Sequence, residues 1–209
     1  MTPFAMVGPG PGHRGALCWR FAEPVMVLSS ASVGGGLGLT PWLLNVGVHK
    51  SYARMDLDVH ASEVAARLNL RGPGATLLTA ADVTRVQTRF EDGVRVDATV
   101  GITSPTWAAD RNGGFTLWKP GTINIVVQLP VRLTDAALVN VVMTVTEAKT
   151  QALAEAGVPG TGTASDAVAI TCPTSGVGDL FGGPRSLWGV RAALAVYDAV
   201  LAGSQTRDA

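Results

Sequence analysis

Glycine and proline interrupt this chain throughout its length, with Gly 25 and Pro 12 among 209 residues. Both residues are unfavourable inside helices and central strands, so they divide the chain into short segments. They cluster at breaks such as Gly34–Gly36 and Gly157–Gly160 and form no long linker. No segment that is free of charged residues and glycines approaches the roughly 20 apolar residues of a membrane-spanning helix. The pattern therefore predicts short elements packed around one core, outside a membrane.

The composition indicates an unusually apolar and electrically neutral protein. Apolar residues make up 47% and charged residues 15% of the chain, against roughly 25% charged residues in an ordinary soluble domain. This apolar surplus is typical of a large core, and it also leaves room for a homo-oligomer. Lys+Arg 16 and Asp+Glu 16 balance to a net charge of +0, so nucleic-acid partners are not expected. The N-terminal residues lack the pattern of a signal peptide, and we expect a cytoplasmic protein.

Hydrophobic periodicity predicts an α+β fold with a mixed β-sheet of about eight strands and three main helices packed on it. The segment 1–15 is predicted to form a flexible Gly/Pro-rich arm, and the segment 16–209 a single domain. The helices are expected at 58–69, with Asp58 as its N-cap, at 134–156 and at 186–201. The strands are expected at 16–21, 24–30, 42–49, 75–80, 84–90, 94–103, 121–129 and 166–171.

Several common enzyme classes are excluded by the motifs that the sequence lacks. There is no phosphate-binding loop, no dinucleotide fingerprint, no nucleophile elbow and no H-E-x-x-H motif. Cys18 and Cys172 are far apart and are expected to be buried thiols rather than a disulfide or a zinc site. The three histidines are too scattered to predict a metal site. We therefore expect neither a bound metal nor a cofactor belonging to the protein.

The long helix at 134–156 places one charged side chain among its apolar residues. When each residue advances by about 100° from Leu138, Lys149 falls within the apolar stripe, whereas Thr144 and Glu147 fall on the opposite, predicted solvent side. A buried ammonium requires a carboxylate or several acceptors and can serve as a base or as a cation beside a developing oxyanion. The alternative is a lysine whose stem lines the core while its ammonium reaches water.

Two strands place polar residues on faces that a ligand could contact. In the segment at 121–125, Thr122 and Asn124 share one face, while Ile123 and Ile125 share the other. In the segment at 42–49, Asn45, Gly47 and His49 are predicted on one face and Leu44, Val46 and Val48 on the other. A simpler interpretation of the segment at 121–125 is the start of a strand whose asparagine finds its hydrogen-bond partners within the protein.

Three further positions have both a structural and a functional interpretation. Asp166 precedes an apolar strand and is either a turn residue or the acid that compensates Lys149. Ser29 and Ser30 precede the glycine run at 34–36. This junction either accepts the amide-rich edge of a ligand or merely turns the chain.

Several segments, in the same order along the chain, together resemble the adenosylcobinamide amidohydrolase family of corrinoid-salvage enzymes. The resemblance covers roughly residues 25–200. Its most specific motifs are GTINI, TEAK and the run that ends in Asp166. The matching segments are SSASVGGGL at 29–37, Asn45 with Val48 and Tyr52, LLTAADV at 77–83, GTINI at 121–125, LTDAALV and TEAKTQAL within 133–153, GTGTASDAV at 160–168 and FGGPRSLWG at 181–189.

The resemblance implies hydrolysis of the amide that joins aminopropanol to the corrin ring of adenosylcobinamide, giving adenosylcobyric acid and 1-aminopropan-2-ol for cobalamin biosynthesis. The cobalt then belongs to the corrinoid substrate. The resemblance makes Glu147 a candidate base despite its helical angle, because a large corrinoid could cover that face. Lys149 and Asn124 become candidates for stabilising the oxyanion or the leaving group, Asp166 for holding Lys149, and Thr122 for a nucleophile. Candidate substrate-binding residues are Ser29, Ser30, Gly35, Gly36, Asn45, His49, Thr146, Thr161 and Thr163.

Two other functions are compatible with the same residues. One is a non-catalytic corrinoid-binding module that uses the same glycine-lined surface. The other is a structural protein that forms subunits of an assembly, which the apolar composition would favour.

Overall fold

The computed structural model describes residues 1–111 and 121–205, and within them the predicted α+β architecture is confirmed. The helices are α1 (Leu57–Arg67), α2 (Asp135–Glu155) and α3 (Leu187–Gln205). Apart from one 3₁₀ turn, Val83–Arg85, the other elements are strands. These are β1 (Ala5–Val7), β2 (Ala16–Ser29), β3 (Gly36–Gly47), β4 (Gly74–Thr79), β5 (Gln87–Glu91), β6 (Val94–Gly101), β7 (Thr122–Gln128) and β8 (Ala167–Cys172).

The strands form one mixed sheet in the order β4-β3-β2-β8-β7-β6-β5, with β1 added to β2. The pairs β3–β4 and β7–β8 are parallel, and the others are antiparallel. The two strands predicted at 16–21 and 24–30 are one long strand, β2, whose register shifts between Arg20 and Val25. The irregularity lets β2 continue from one half of the sheet into the other.

The sheet folds back on itself, so that strands far apart in the sheet order meet. The indole Nε1 of Trp19 in β2 donates to Asp97 Oδ2 in β6 at 3.1 Å. The Asn124 amide in β7 donates to the Leu78 carbonyl in β4 at 3.0 Å. Between the halves lies an inner core that includes Leu43 of β3.

The helices cover the outer faces of the two halves. The α1 residues Val64 and Ala65 pack with Leu44 and Val46 of β3, on the face that period-2 alternation predicts. Helices α2 and α3 contact one another and cover β6, β7 and β8. In the described part of the chain, no helix has the length and apolarity that crossing a membrane requires.

The prediction of a flexible arm over residues 1–15 is wrong for its central residues. β1 pairs with β2, with Ala5 opposite Cys18, and the Phe4 ring packs edge-on against Trp19 with centroids 5.8 Å apart. The free edge of β2 offers backbone donors and acceptors that a short strand can satisfy. The three residues of β1 form this pairing with β2.

Helix α2 begins as predicted, because the Thr134 hydroxyl oxygen accepts from the Ala137 amide at 3.3 Å. One predicted solvent position is wrong: Thr144 is buried and donates to the Gly182 carbonyl at 3.0 Å. The loop before α3 therefore covers part of the face that helical periodicity assigned to solvent. In α1 the N-cap is Asp56, and Asp58 lies within the first turn.

Candidate functional site

A largely apolar cleft of about 560 Å³ opens where β3, β4 and β7 meet the loops that follow β2 and precede β8. Its polar groups are mainly hydroxyls, together with the carboxylate of Asp166 and the guanidinium of Arg54. The Arg54 guanidinium is already paired with Asp56 and Glu63. The lining residues are Ser30, Ser32, Val48, Tyr52, Ala53, Arg54, Met55, Leu57, Leu77, Leu78, Thr79, Ala80, Thr122, Ser165, Asp166 and Ala167.

A buried ion pair lies behind one wall of this cleft. Lys149 Nζ in α2 lies 2.5 Å from Asp166 Oδ2, and the two side chains are 9% and 12% exposed. The interpretation of Asp166 as the acid that compensates Lys149 is confirmed as a contact. Asp166 lines the cleft, whereas Lys149 is not among the described lining residues and lies against Asp166.

Asp166 is fully occupied as a hydrogen-bond acceptor. Its Oδ1 accepts from the Ile123 amide at 2.9 Å and from the Thr163 hydroxyl at 2.5 Å. Its Oδ2 accepts from Lys149 and from the Thr163 amide at 3.1 Å. A carboxylate has about four acceptor positions, so Asp166 has no remaining acceptor position for a water molecule. The geometry suits it to holding Lys149 rather than to acting as a general base.

Gly162 closes over the ion pair. A Cβ atom added to Gly162 would overlap Asp166 Oδ2 and Lys149 Nζ. Gly162 lies in one of the motifs of the resemblance, but no local pattern marks it as a site residue. The close approach of the backbone explains why a residue without a side chain is found here.

We expect Gly162→Ala to lower the free energy of unfolding by about 1–3 kcal/mol, because the added methyl group must push the ion pair apart. Urea unfolding measures the effect. Gly8→Ala is the matched control, since no atom of the described residues lies within 4 Å of a Cβ atom there. Equal losses in the two variants would contradict the proposed packing of Gly162 on the ion pair.

Two hydroxyls line the cleft beside Asp166. Thr122 Oγ1 and Ser165 Oγ are 2.8 Å apart, and Ser165 donates to the Gly121 carbonyl at 3.0 Å. Because Ser165 uses its single proton on Gly121, the proton between the two hydroxyls belongs to Thr122. Thr122 therefore lies at the cleft, as a nucleophile must, but its hydroxyl donates to another hydroxyl and not to a base.

Asn124 and Asn45 meet beneath the cleft, on the face of β7 that also carries Thr122. Asn124 Nδ2 donates to Asn45 Oδ1 at 2.8 Å and to the Leu78 carbonyl, and Asn45 Nδ2 donates to Thr99 Oγ1 at 2.9 Å. Both amide protons of Asn124 are thus used within the protein. Among the described residues its buried Oδ1 has no hydrogen-bond partner, so the atom that the protein leaves unused is an acceptor.

Several predicted residues are not brought to the cleft. Glu147 is exposed on α2, on the side of the helix away from Lys149. Thr146 is also exposed, and its hydroxyl donates back to the Val142 carbonyl. β3 ends at Gly47 before reaching His49, which is exposed and hydrogen-bonded to Ser51. The predicted face of this strand therefore includes Asn45 but not His49, which lies beyond the end of β3.

The remaining predicted binding residues lie in loops or at the ends of strands. Ser30 lines the cleft and accepts from the Val168 amide, whereas Ser29 is buried and donates to the Val168 carbonyl. Gly35 lies so close to the Ala31 carbonyl that a Cβ atom would overlap it, and Gly36 has a φ of +96°. Thr161 accepts from the Ala108 amide at 2.9 Å.

Sequence reasoning missed Arg54 and the neighbouring residues that form a cleft wall. The sequence offers Tyr52 only as part of a family motif, and Ser165 only as a member of the segment at 160–168 that contains Asp166. Arg54 and Met55 follow the end of β3 in a segment without periodicity, so nothing in the local pattern predicts that they face a ligand.

Comparisons with known proteins agree on one family. A family model described as adenosylcobinamide amidohydrolase matches residues 9–209. A protein of that name from Halobacterium salinarum is 38% identical over 122 residues, covering 56% of this chain and 52% of the relative. Another, from Methanosarcina mazei, is 29% identical over 150 residues, covering 70% and 71%. This chain thus spans about half the length of the first relative.

A similarity to a solved structure is also found. The crystal structure of the PH0078 protein from Pyrococcus horikoshii OT3 is 12% identical, with a TM-score of 0.44, covering 97% of this chain and 80% of the other. The family match, in contrast, extends over nearly the whole sequence and includes every segment that builds the cleft and the Lys149–Asp166 pair. The chain belongs to the adenosylcobinamide amidohydrolase family.

Proposed function

We propose that this protein hydrolyses adenosylcobinamide at the amide that joins aminopropanol to the corrin ring, releasing adenosylcobyric acid and 1-aminopropan-2-ol. The product with the free carboxylate could then re-enter cobalamin biosynthesis. The observation that carries the proposal is the position of Asp166, the acidic member of a buried ion pair, on the wall of an apolar cleft. Family membership supports the reaction class.

The size of the cleft suggests how the substrate binds. About 560 Å³ is typical of a pocket for a drug-sized ligand, which is smaller than an adenosylated corrin. We therefore infer that the cleft takes the arm that bears the amide, while the macrocycle lies across the opening. The apolar wall at Leu77 and Leu78 suits the hydrocarbon part of that arm.

The reaction adds water across the amide. The water oxygen bonds to the carbonyl carbon, the carbon–nitrogen bond breaks, and the amine leaves with a proton. The intermediate carries a negative oxygen, which a fixed positive charge stabilises best where water is excluded. In this proposal the charge comes from Lys149, which Asp166 holds just behind the cleft wall. Asn124 Oδ1 accepts a hydrogen bond from the nitrogen that leaves, since its own amide protons are occupied.

Two assignments remain predictions that the same reaction can test. Thr122 would attack the carbonyl carbon itself if the mechanism passes through an acyl-enzyme. Before the reaction, the Thr122 hydroxyl donates to Ser165 Oγ. Glu147 would serve as the base only if the bound corrinoid extends over the exposed face of α2. Thr163, whose hydroxyl and amide both bind Asp166, is proposed to support the site rather than to contact substrate.

The test is direct measurement of the products. Purified protein is incubated with adenosylcobinamide, and aminopropanol and adenosylcobyric acid are quantified, before and after treatment with a chelator. Release of both products in equal amounts, unchanged by the chelator, is expected, because the proposal assigns no step to a metal of the protein. Tight corrinoid binding without release would overturn hydrolysis and favour the non-catalytic binding module. Light scattering tests independently whether the chain forms the homo-oligomer for which its apolar composition leaves room.

A further inference from the structure

One wall of the cleft is a segment that joins β3 to α1 and is fastened mainly by side chains. Tyr52, Ala53, Arg54, Met55 and Leu57 line the cleft from this side. Tyr52 Oη lies 2.7 Å from His60 Nδ1 in α1. The two rings also pack together, with centroids 5.3 Å apart and planes inclined by 33°. The hydrogen bond and the ring contact together fix the orientation of the phenol.

His60 is fully buried. Among the described residues its Nε2 has no hydrogen-bond partner of normal geometry, and it faces the Gly12 backbone, since a Cβ atom added there would lie 3.2 Å away. The phenol oxygen can donate or accept, and so can a ring nitrogen of histidine, so the contact persists whichever of the two residues carries the shared proton. The charged and titratable groups facing His60 are Tyr52, Arg54 and Asp56 of the wall, Glu63 of α1 and His13 of the N-terminal segment.

We propose that Tyr52 is a substrate-positioning residue that His60 holds in place. The inference rests on the proposed function, since it assigns a role in binding the corrinoid arm. Tyr52 presents its ring to the cleft, where an aromatic face offers a large apolar contact at small entropic cost. Neither residue belongs to the Lys149–Asp166 group, so this role concerns binding and not the chemical step.

Three variants test the proposal through steady-state kinetics. Tyr52→Phe keeps the ring and loses the hydrogen bond, so KM for adenosylcobinamide should rise about 5-fold with kcat nearly unchanged, as expected for one hydrogen bond. Tyr197→Phe, at the other tyrosine of the chain, is the matched control and should leave both constants unchanged. His60→Gln should also raise KM, because it removes the ring that packs against Tyr52. A Tyr52→Phe or a His60→Gln variant with unaltered KM would overturn the proposal.

A second measurement does not depend on catalysis. Lys50 and Arg54 are trypsin sites within the connecting segment, so loosening of the wall should speed cleavage there. We expect faster cleavage in Tyr52→Phe than in Tyr197→Phe, and equal rates would overturn the fastening role. If adenosylcobinamide is not hydrolysed but the trypsin rates still differ, the proposed function fails while the fastening of the wall stands.

Discussion

Replacing Asp166 with alanine is expected to lower the free energy of unfolding by about 3–5 kcal/mol, the range found when one member of a buried ion pair is removed. The ammonium of Lys149 would be left without the acceptor 2.5 Å away. The amides of Ile123 and Thr163 would also lose their acceptor. Chemical denaturation with urea measures the loss. Asp166→Asn should be less damaging, because its amide oxygen can still accept.

The matched control is Asp92→Asn, which removes the acid of an exposed ion pair. Asp92 lies 3.6 Å from Arg191 and its side chain is 73% exposed, and exposed pairs add little to stability. Asn also tolerates the φ of 38° that Asp92 adopts. We expect a far smaller change than for Asp166→Ala. Comparable stability losses in Asp166→Ala and Asp92→Asn would contradict the central place given to the buried pair.

The second large effect is expected for Lys149→Met, which should reduce kcat for adenosylcobinamide hydrolysis by about 100- to 1,000-fold, the loss typical of removing one group that stabilises an oxyanion. Methionine fills a similar volume, and Asp166 keeps its three other donors, so the variant should remain folded. Product release gives kcat, and circular dichroism with thermal unfolding checks the fold. Full turnover by a folded Lys149→Met variant would refute the chemical role of the ammonium.

Two further variants make this result specific. Lys50→Met removes an exposed lysine outside the cleft lining and should leave kcat unchanged. Glu147→Gln, in the same helix as Lys149, tests the predicted base. A large loss in Glu147→Gln would place the corrinoid over the exposed face of α2, and normal activity would remove Glu147 from the mechanism.

Part of the candidate site could be predicted because local geometry repeats. The regular angular step of a helix places Lys149 among apolar residues wherever α2 packs, and the structure confirms that it is buried. Strand alternation places Thr122 and Asn124 on the same face of β7, opposite Ile123 and Ile125. These inferences needed only the sequence and the identity of the element.

Other features depend on contacts between distant segments, which no local pattern contains. Thr144 is buried only because the loop at Gly182 crosses α2. β1 forms only because β2 has a free edge to pair with. Tyr52 lines the cleft with its hydroxyl hydrogen-bonded to His60 of α1, a contact that the sequence pattern does not contain.

The sequence by itself determined the α+β class, the capped helix that carries Lys149, and the membership of the chain in its family, because each depends on residue order and local periodicity. The tertiary structure decided between the two interpretations of Asp166, which meets Lys149, and it alone brought Asn45 to Asn124. For the two asparagines the physical reason is that β2 and β3 continue through the irregularity near Arg20 and fold the sheet back on itself. Residues 79 positions apart are thereby brought within hydrogen-bond distance.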